Sequence, residues 1–421
     1  MSDNPNSWAR SRRIAASQPA LEPENYALAD SFGLILAETV HALCAVNHYD
    51  SSAMDGYAVN ATGAAAGPWR LIGPAPRNGQ IELAPGQAAT ILTGGAIPAD
   101  TTSIVRMEHT SLLDQGVHML PEQRCSRDLE PGANIRRAGE EAAAGQQILQ
   151  PGTLIGPAEM AAAAVAGIDT LRCHRAPKVG FVFTGDEVLT SGVPGPGEVR
   201  DAFSPYFVRL CAELTHGVQR IPAAPRYQAR IDDDLAAMTH ELRRASQELD
   251  VLITTGGTGF SSADYLRRAL AEQKATILVP EISMRPGHPT VLAQLPATPQ
   301  QQAAGSAGTY VLGLPGNPLA ALAGFATVGM PLLAALAGVG ELAEFHGVAG
   351  DSCRTGRGPR LMPAREENGV IETSKFHGSA MLRGLLGATY FAVVTADTTA
   401  GDSIPLLPLP WARFNPAGEV H

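Results

Sequence analysis

The feature that most constrains the fold of this 421-residue chain is an alternation of apolar strands and helices that begins near Pro177. Apolar strands that end in short turns and lead into helices are typical of a parallel α/β sheet. The predicted strands are Lys178–Thr184, Val251–Thr255, Ile277–Glu281 and Tyr310–Leu314, and the predicted helices are Phe203–His216, Asp232–Ser246 and Ala263–Gln273. We therefore predict a parallel-sheet α/β domain over residues 175–340.

The apolar segment Val311–Gly340 contains no charged residue and is longer than the roughly 20 residues that a membrane span requires. It nevertheless opens with a turn-like Leu-Pro-Gly-Asn-Pro sequence, is rich in Ala and Gly, and is interrupted by Pro331. These features favour two short helices buried in a protein core over a membrane span.

The length of the chain exceeds what one hydrophobic core usually serves, so several domains are expected. Helical patterns over Trp8–Ser17, Tyr26–Val40 and Pro157–Ala166 predict an N-terminal helical domain built from residues 8–41 and 145–172. Short apolar runs between Gly, Pro and Asp predict an inserted β domain over residues 42–144, and the region 345–421 is again β-like. The predicted fold class is therefore multi-domain, combining α/β and β parts.

Net charge and cysteine usage exclude several classes of function. The formal charge of −10 leaves no basic field that could neutralise a nucleic-acid backbone, so no nucleic-acid partner is expected. The five cysteines are odd in number and never form a C-x-x-C pair, so neither a disulfide framework nor a zinc site is expected. Because no secretory apolar core follows the N-terminus, the sequence indicates a cytoplasmic protein without a membrane span.

Two predicted strands end in segments whose residue types suit metal and phosphate binding. The turn after the first strand carries Asp186 and Glu187, which could hold Mg²⁺ beside a phosphate or form an ordinary solvated turn. After the second strand, the backbone of Gly256 and Gly257 could approach a phosphate, or the glycines could serve only a tight strand-to-helix turn. Both alternatives stay open for each segment on local sequence alone.

Three more motifs offer polar groups from turns. The run Arg285-Pro286-Gly287-His288-Pro289 presents a guanidinium and an imidazole that suit oxyanion capture. In Leu-Pro-Gly-Asn-Pro, Asn317 can cap a helix whose first position is Pro318, which leaves backbone N–H groups for an anion. Asp55, between small residues and a glycine, can present its carboxylate to a ligand or a metal. Each motif is also a common structural turn.

Seven motifs resemble, in the same order, those of the molybdopterin molybdenumtransferase family, which acts in molybdenum cofactor biosynthesis and includes the E domain of gephyrin. They are Ser-Ala-Met-Asp-Gly-Tyr-Ala, Thr-Gly-Gly-Ala-Ile-Pro, Asn-Ile-Arg-Arg-Ala-Gly-Glu, Thr-Gly-Asp-Glu-Val, Gly-Gly-Thr-Gly, Arg-Pro-Gly-His-Pro and Leu-Pro-Gly-Asn-Pro. The resemblance, from about Asp30 to Val394, implies an N-terminal helical domain, a β insert, a molybdopterin-binding α/β domain and a C-terminal β barrel. It also implies an elongated homodimer with the active site at the subunit interface.

The resemblance implies a transferase whose substrates, adenylylated molybdopterin and molybdate, give molybdenum cofactor and AMP with the help of Mg²⁺. The implied catalytic residues are Asp55, Thr93, Glu187 and Asp264, and the implied metal ligands are Asp55, Asp186, Glu187 and Asp264. The implied substrate-binding residues are Arg136, Arg137, Glu140, Asp201, Gly256, Gly257, Arg285, His288, Pro315, Gly316, Asn317, Ser379 and Arg383. Maturation proteins of molybdoenzymes are further implied partners.

The chain departs from the family pattern at ligand-facing positions. Arg285 and His288 stand where the family typically has two lysines, so an imidazole, whose charge depends on pH, replaces one fixed charge. Phe203 stands where the family has an Asn, although the preceding carboxylate, Asp201, is kept. Two functions therefore stay open: the molybdenum-inserting enzyme, and a divergent paralogue that binds the pterin or a protein without turnover.

Overall fold

The structure is a computed structural model that describes residues 6–63, 67–114, 116–120, 123, 127–216, 219–258, 265–303, 305–356 and 358–412. The described chain contains a central α/β domain, a β-rich insert, a small N-terminal sheet and a C-terminal β domain. The predicted multi-domain fold class is confirmed.

A six-stranded sheet forms the centre of the α/β domain. Its strands, in spatial order, are Ala224–Arg230, Lys178–Phe183, Val251–Thr255, Tyr310–Leu314, Val291–Gln294 and Thr276–Val279. The first four run parallel because helical crossovers return the chain to the same end of the sheet. Three of the four are predicted strands, and the edge strand Ala224–Arg230 is an addition to the prediction. The sheet as a whole is mixed, because Val291–Gln294 pairs antiparallel with both of its neighbours.

The helices of this domain differ from the sequence prediction mainly at their ends. They are Phe207–Ala212, Leu235–Glu248, Tyr265–Glu272, the short Pro299–Ala303 and the long Pro318–Leu336. The predicted helix Phe203–His216 is shorter in the structure, because the Asp201 carboxylate accepts from the backbone N–H groups of Phe203 and Ser204 and forms a turn there. At its other end, Thr215–His216 pairs with Gln219–Arg220 as a hairpin instead.

The apolar segment forms one continuous helix rather than the predicted two. Between the α-helical turns Pro318–Gly324 and Met330–Leu336 lies a π-helical turn, Phe325–Gly329. Pro331 has no N–H to donate, and the wider turn before it accommodates the missing bond without breaking the helix. Among the described helices, this one alone is long and apolar enough to cross a membrane, and its residues from Leu319 onward are buried inside the protein.

The N-terminal region confirms one predicted helix and contradicts another. Trp8–Ala16 is helical and packs against the buried apolar helix, and Pro157–Val165 is helical as predicted. The predicted helix Tyr26–Val40 is wrong: this segment contains the strands Pro23–Ala27, Ile35–Leu36 and Val40–His41 and the 3₁₀ turn Leu28–Asp30.

Backbone pairing explains the wrong helix prediction. Pro23–Ala27 pairs antiparallel along its whole length with the distant strand Thr170–His174, which also pairs with Ile35–Leu36. Gly33 reverses the chain between these strands with a φ of +77°, a value that is left-handed and incompatible with an α-helix. Phe32, which belongs to the apolar stripe that suggested a helix, is 54% exposed.

The insert is the predicted β domain. Its six strands are, in spatial order, Ser103–Arg106, Gly56–Val59, Gln87–Ile91, Trp69–Pro74, Gly116–Met119 and Thr110–Leu113. Trp69 is fully buried at the centre of one face. Two short strand pairs, Ser51–Ser52 with Ile135–Arg136 and Val40–His41 with Gln147–Leu149, lead the chain into and out of the insert.

The C-terminal domain is a curled five-stranded sheet. Its strands, in spatial order, are Phe345–Val348, Ser403–Pro408, Tyr390–Val394, Arg360–Glu367 and Val370–Thr373. The two edges meet where Ala349 forms a bridge with Ile371, which gives the sheet its barrel-like shape. Leu361 and Phe391 from this sheet belong to the same buried core as the long apolar helix, so the two domains share one packed interior.

Candidate active site

A cleft of about 710 Å³ lies at the carboxyl ends of the parallel strands. Because parallel strands all end at the same rim of a sheet, the turns that follow them are brought together there. The cleft brings together seven of the predicted site residues: Glu187, Asp201, Gly256, Gly257, Pro315, Gly316 and Asn317. Among its other lining residues are Thr184, Arg200, Phe203, Arg230, Asp233, Thr258, Pro289 and Ala380.

The glycine loop after Val251–Thr255 requires glycine at its first position. Gly256 has a φ of +91°, and a Cβ atom there would lie 2.4 Å from the Thr184 Oγ1 atom. That hydroxyl donates to the Thr255 carbonyl at 3.0 Å, so it cannot easily move away. A Cβ on Gly316, in the neighbouring loop, would be in ordinary contact with the Gly256 Cα, so the two loops lie side by side. Their bare backbone forms one wall of the cleft.

The buried apolar helix begins at this wall. Asn317 occupies the N-cap position and Pro318 the first helical turn, as predicted from sequence. The Asn317 side chain makes no capping hydrogen bond to the first turn. In the first turn Pro318 has no N–H and the Ala320 N–H donates to the Ser379 carbonyl, which leaves the N–H of Leu319 together with the positive end of the helix dipole. A helix N-terminus attracts negative charge, so this end of the cleft suits a phosphate or another oxyanion.

Acidic groups line another part of the cleft. Asp186 accepts a hydrogen bond from the backbone N–H of Asp233 at 3.0 Å. Burial raises the pKa of the Asp233 carboxyl, and the negative charges of Asp186 and Glu187 raise that pKa further. Asp186 and Glu187 are therefore close enough to Asp233 to repel its charge, and of the three Glu187 and Asp233 line the cleft, with Asp186 beside it. No group of three ready-made metal ligands occurs in the described residues. Sequence reasoning missed Asp233 because the run Asp232-Asp233-Asp234 was interpreted only as the start of a helix.

Asp201 is buried and held by four donors. Its carboxylate accepts from the Phe203 and Ser204 backbone N–H groups at 2.8 and 3.1 Å, from the Ser204 hydroxyl at 2.5 Å and from Arg230 Nη2 at 2.5 Å. Burial raises the pKa of this carboxyl, but the Ser204 and Phe203 hydrogen bonds and the charge of Arg230 outweigh that effect and lower it. Arg230 was not identified from sequence, because it ends a polar edge strand that the apolar pattern did not predict.

A second group of predicted residues lies on the insert, outside the cleft of its own chain. The Asp55 Oδ1 atom accepts from the Thr93 backbone N–H at 2.6 Å and from the Thr93 hydroxyl at 2.8 Å. These two hydrogen bonds lower the pKa of the Asp55 carboxyl, which stays ionised and exposed. The structure thus joins Asp55 to Thr93, two residues that sequence could only propose separately.

The Arg136–Glu140 turn is attached to the same surface of the insert. The Arg137 Nη1 atom lies 2.6 Å from the Asp50 carboxylate, which also accepts from the backbone N–H of Ala138. Glu140 accepts from the backbone N–H of Arg137 at 3.1 Å. These hydrogen bonds hold the turn that carries the predicted residues close to the strand that precedes Asp55.

The remaining predicted residues lie around the junction with the C-terminal domain. Arg285 forms a β-bridge with Arg360, and the His288 Nδ1 atom donates to the Ile282 carbonyl at 2.8 Å. The His288 Nε2 atom lies 3.5 Å from the Glu281 carboxylate. Neither Arg285 nor His288 lines the cleft, although the adjacent Pro289 does.

The C-terminal pair of predicted residues is divided between two places. The Ser379 carbonyl accepts from the Ala320 N–H in the first turn of the buried helix, and the adjacent Ala380 lines the cleft. The Arg383 guanidinium lies 4.6 Å from the Phe376 ring and lines a separate cavity of about 330 Å³. Asp264, the last predicted catalytic residue, lies outside the described residues.

Two family profiles match this chain. The profile described as "MoeA N-terminal region (domain I and II)" matches residues 7–167, and the one described as "Probable molybdopterin binding domain" matches residues 180–335. The first match contains the insert with Asp55 and Thr93, and the second contains the strands and loops that form the cleft.

Relatives named molybdopterin molybdenumtransferase share much of the sequence. The protein from Nostoc sp. is 30% identical over 318 residues, covering 73% of this chain and 68% of the relative. The protein from Bacillus subtilis is 30% identical over 332 residues, covering 76% of this chain and 72% of the relative. The protein from Haemophilus influenzae is 28% identical over 422 residues, covering 95% and 97% of the two chains.

Solved structures share the fold. A molybdopterin biosynthesis MoeA protein from Pyrococcus horikoshii matches with a TM-score of 0.75 at 20% identity, covering 96% of this chain and 98% of that chain. A second structure from that organism matches with a TM-score of 0.64 at 21% identity, covering 95% and 98%. The arrangement of domains around the cleft is therefore one already found in solved proteins.

Proposed function

The chain belongs to the molybdopterin molybdenumtransferase family, and we propose that it inserts molybdate into adenylylated molybdopterin with release of AMP. The observation that carries this proposal is the cleft at the carboxyl ends of the parallel strands. It combines a bare glycine wall, a helix N-terminus and carboxylates in about 710 Å³, a size that suits a phosphorylated heterocyclic ligand.

The two sides of the cleft have different roles in this proposal. The backbone N–H groups of Gly257, Gly316 and Asn317 are the proposed donors to phosphate oxygens, since N–H groups beside glycines and at a helix N-terminus bind anions. Gly256, whose N–H donates to the Leu314 carbonyl, and Pro315 shape the wall. The carboxylates of Asp186, Glu187 and Asp233 suit Mg²⁺, which takes hard oxygen ligands and needs only one or two carboxylates when a substrate phosphate completes its shell. Asp264 is proposed as a further acidic ligand from the family resemblance.

The proposed reaction breaks the phosphoanhydride bond between the pterin phosphate and AMP by attack of a water oxygen on the pterin phosphorus, with AMP as the leaving group. Bound Mg²⁺ would supply positive charge to the phosphate oxygens on which negative charge develops. Glu187 and its acidic neighbours would hold the Mg²⁺ ion in position. The glycine wall holds the phosphate so that the bond to AMP stays accessible. Molybdate, a tetrahedral oxyanion, is assigned from the family resemblance to the Arg285 guanidinium and the His288 imidazole, which lie next to the cleft residue Pro289. Ser379 and Arg383 belong to the substrate-binding set by the same resemblance, although Arg383 lines a separate cavity in this chain.

We infer that the active site is shared between two copies of the chain. Asp55, Thr93, Arg136, Arg137 and Glu140 do not line the cleft of their own chain. Exposed apolar side chains flank the first two: Met54 is 40% exposed and Leu92 is 65% exposed. Such a surface, with polar groups inside an apolar rim, suits contact with another subunit. In a homodimer, the insert of one subunit would place these residues at the cleft of its partner.

The setting of the reaction follows from the same proposal. A biosynthetic enzyme that consumes molybdate and adenylylated molybdopterin is expected in the cytoplasm, and its product must pass to maturation proteins of molybdoenzymes. The net charge of −10 leaves nucleic acid an unsuitable partner.

The proposal is tested by incubating the purified full-length chain with adenylylated molybdopterin, molybdate and Mg²⁺. We expect stoichiometric release of AMP together with cofactor that reconstitutes a molybdoenzyme apoprotein. If the pterin binds tightly but neither AMP nor cofactor appears, the chain is the divergent binding protein that its departures at Arg285, His288 and Phe203 left open.

Replacing Asp233 by Asn is expected to stabilise the fold while weakening the enzyme. The substitution removes a partly buried charge that repels Asp186 and Glu187, so we expect the Tm at pH 7 to rise by roughly 2 °C. The same change removes a metal ligand, so the Mg²⁺ concentration needed for half-maximal activity should increase about tenfold. Thermal melts and Mg²⁺ titrations measure the two effects.

This experiment has two controls: the pH dependence of the Tm difference, and a variant at the neighbouring residue Asp232. The folded pKa of Asp233 is raised, so its charge begins to cost stability above the ordinary value of 3.8 and does so fully above the folded pKa. The stabilisation in Asp233→Asn should therefore be greatest at neutral pH and disappear as the pH falls to 3.8. Asp232→Asn, at an exposed neighbouring carboxylate, should change neither quantity. A Tm that falls in Asp233→Asn would show that the carboxylate stabilises the fold.

A further inference from the structure

Arg230 occupies an unusual position at the rim of the cleft. It is the last residue of the edge strand Ala224–Arg230 and pairs in register with Phe183, the last residue of the neighbouring strand. Its side chain lines the cleft and is 27% exposed, and the guanidinium lies 5.9 Å from the centre of the Phe183 ring. The edge strand therefore ends by placing a partly buried positive charge beside the proposed substrate.

The two terminal nitrogens of this guanidinium have different surroundings. Nη2 donates to the Asp201 carboxylate at 2.5 Å. Nη1 is buried and has no hydrogen-bond partner among the described residues. An Arg side chain cannot lose its proton in a protein, so this nitrogen stays a charged donor without an acceptor. Buried donors are nearly always paired, so an unpaired one on a residue that lines a cleft points to an acceptor that arrives with the ligand and that Nη1 reaches when the guanidinium turns toward it.

Asp201 does not depend on Arg230 for its own hydrogen bonds. The backbone N–H groups of Phe203 and Ser204 and the Ser204 hydroxyl already satisfy its two oxygens. The carboxylate is thus fixed by its own turn, with a side chain that is 1% exposed. A carboxylate held in this way restricts the orientation of the guanidinium that it binds, which makes Asp201 a positioning residue for Arg230.

The charges around the cleft favour a role in binding for Arg230. Its described lining contains three carboxylates, Glu187, Asp201 and Asp233, and two guanidiniums. The second guanidinium, that of Arg200, belongs to an exposed residue and donates to the Leu189 carbonyl. An anionic ligand that enters this acidic cleft therefore meets one partly buried cation in the described lining, and that cation is Arg230.

We propose that Arg230 is the anion anchor of the cleft: when the substrate binds, a small turn of the partly exposed guanidinium brings Nη1 to the cleft, where it donates to a phosphate oxygen while Asp201 holds Nη2. This inference rests on the proposed function, since it assigns a partner to the phosphate ester of that substrate. Adenylylated molybdopterin contains a pterin phosphate and an adenylate phosphate, and either could supply the oxygen. The fork of the guanidinium suits two acceptors at once, here one from the protein and one from the ligand.

The test compares four variants of the full-length protein: Arg230→Met, Arg230→Lys, the double variant Asp201→Asn with Arg230→Met, and Arg226→Met. Arg226 lies on the same strand, is exposed and does not line the cleft, so its variant is the matched control. Titration calorimetry with molybdopterin and, separately, with AMP gives the affinities. Thermal melts report the stability of each variant.

We expect Arg230→Met to weaken binding of one phosphate ligand about tenfold or more, and Arg230→Lys to weaken it less, because the charge stays but the fork is lost. Arg226→Met should bind like the wild type. Weakened molybdopterin binding assigns the anchor to the pterin phosphate, and weakened AMP binding assigns it to the adenylate phosphate.

The double variant distinguishes binding from a purely structural role. Arg230→Met alone leaves Asp201 charged and unpaired with a cation, so its Tm should fall, and Asp201→Asn should restore it. If Arg230 binds the ligand, affinity stays low in the restored protein; if affinity returns with stability, the proposal is overturned. Unchanged affinity in Arg230→Met also overturns it. A wild-type chain that binds neither ligand and releases no AMP would instead defeat the proposed function itself.

Discussion

Mixing two inactive variants, Asp55→Asn and Glu187→Gln, is expected to restore activity that neither has alone. Each single variant should lose activity by about 100-fold, because each removes a charge aimed at the reacting phosphate or its metal. In a homodimer with shared sites, a mixed dimer contains one site with both substitutions and one site with neither. Random exchange makes about half of the dimers mixed, so about a quarter of the wild-type activity should return.

The reason for this expectation is the separation of the two groups in the structure. Glu187 lines the cleft, whereas Asp55 is held by Thr93 on an exposed surface of the insert and does not line it. The experiment exchanges subunits of separately tagged variants and measures AMP release by the whole mixture, where about a quarter of the wild-type activity is expected. The doubly tagged dimers are then isolated, and their one intact site of two should give about half of the wild-type activity per dimer.

A second mixture provides the matched control. Asp55→Asn mixed with Thr93→Ala should stay inactive, because both residues lie on the insert and every site then receives one damaged insert. If the first mixture also stays inactive although doubly tagged dimers are recovered, Asp55 of one subunit and Glu187 of the other do not act in the same site. The shared-site proposal is then wrong.

Replacing Asp128 by Ala is expected to destabilise the insert by about 2–4 kcal/mol, since a buried carboxylate is removed from partners that depend on it. Asp128 is 2% exposed and accepts from the Arg106 side chain at 3.0 Å and from Asn134 Nδ2 at 3.0 Å. The His109 Nδ1 atom lies 2.8 Å from its other oxygen. We place the effect below that of a fully buried pair because the Arg106 side chain is 33% exposed and partly screened by water.

The same cluster connects stability to the proposed site. Asn134, which has a φ of +57°, also donates to the Ile104 carbonyl and directly precedes the strand Ile135–Arg136. That strand pairs with Ser51–Ser52, just ahead of Asp55. Loss of the Asp128 hydrogen bonds should therefore lower activity through displacement of the insert loops, with the affinity of the cleft for AMP unchanged.

The pH dependence of this effect has a definite sign. Burial raises the pKa of the Asp128 carboxyl, but hydrogen bonds from Arg106, Asn134 and His109 outweigh burial and lower it to about 2. A lowered folded pKa stabilises the protein above the ordinary value of 3.8, and this stabilisation is lost as the pH falls toward 2. The Tm of the wild type should therefore fall more steeply than that of Asp128→Ala over this interval.

Glu130→Gln serves as the control for these melts, because Glu130 is an exposed carboxylate two residues away. Its unfolding free energy should match that of the wild type at every pH. An Asp128→Ala protein as stable as the wild type at pH 7 would mean that the cluster contributes nothing net to the insert.

The predictive power of the sequence was greatest where local patterns decide the structure. Apolar strands before Glu187 and before Gly256 predicted a parallel sheet, and parallel strands necessarily bring their following turns to one rim. The helix start at Asn317 and Pro318 and the β character of the insert were also predicted correctly, because turn residues and alternating polarity act within a few residues. The Asn317 side chain itself makes no capping hydrogen bond.

The wrong helix over Tyr26–Val40 shows the limit of such patterns. Its apolar spacing fits a helix, yet pairing with the distant strand Thr170–His174 satisfies the backbone of its first part as a strand. The local pattern could not reveal this partner, since propensity is a weak preference that tertiary pairing overrides.

What the sequence by itself determined is the α/β order, the family and the glycine and acidic turns of the cleft. Only the tertiary structure decided that Asp233 and Arg230 join the cleft, that Asp55 is tied to Thr93, and that this pair lies outside the cleft of its own chain. Burial, ion pairing and strand pairing act between residues that are far apart in sequence. The neighbours of a polar side chain are therefore set only when the chain is folded. Those neighbours in turn decide its charge and whether it is free to bind a ligand.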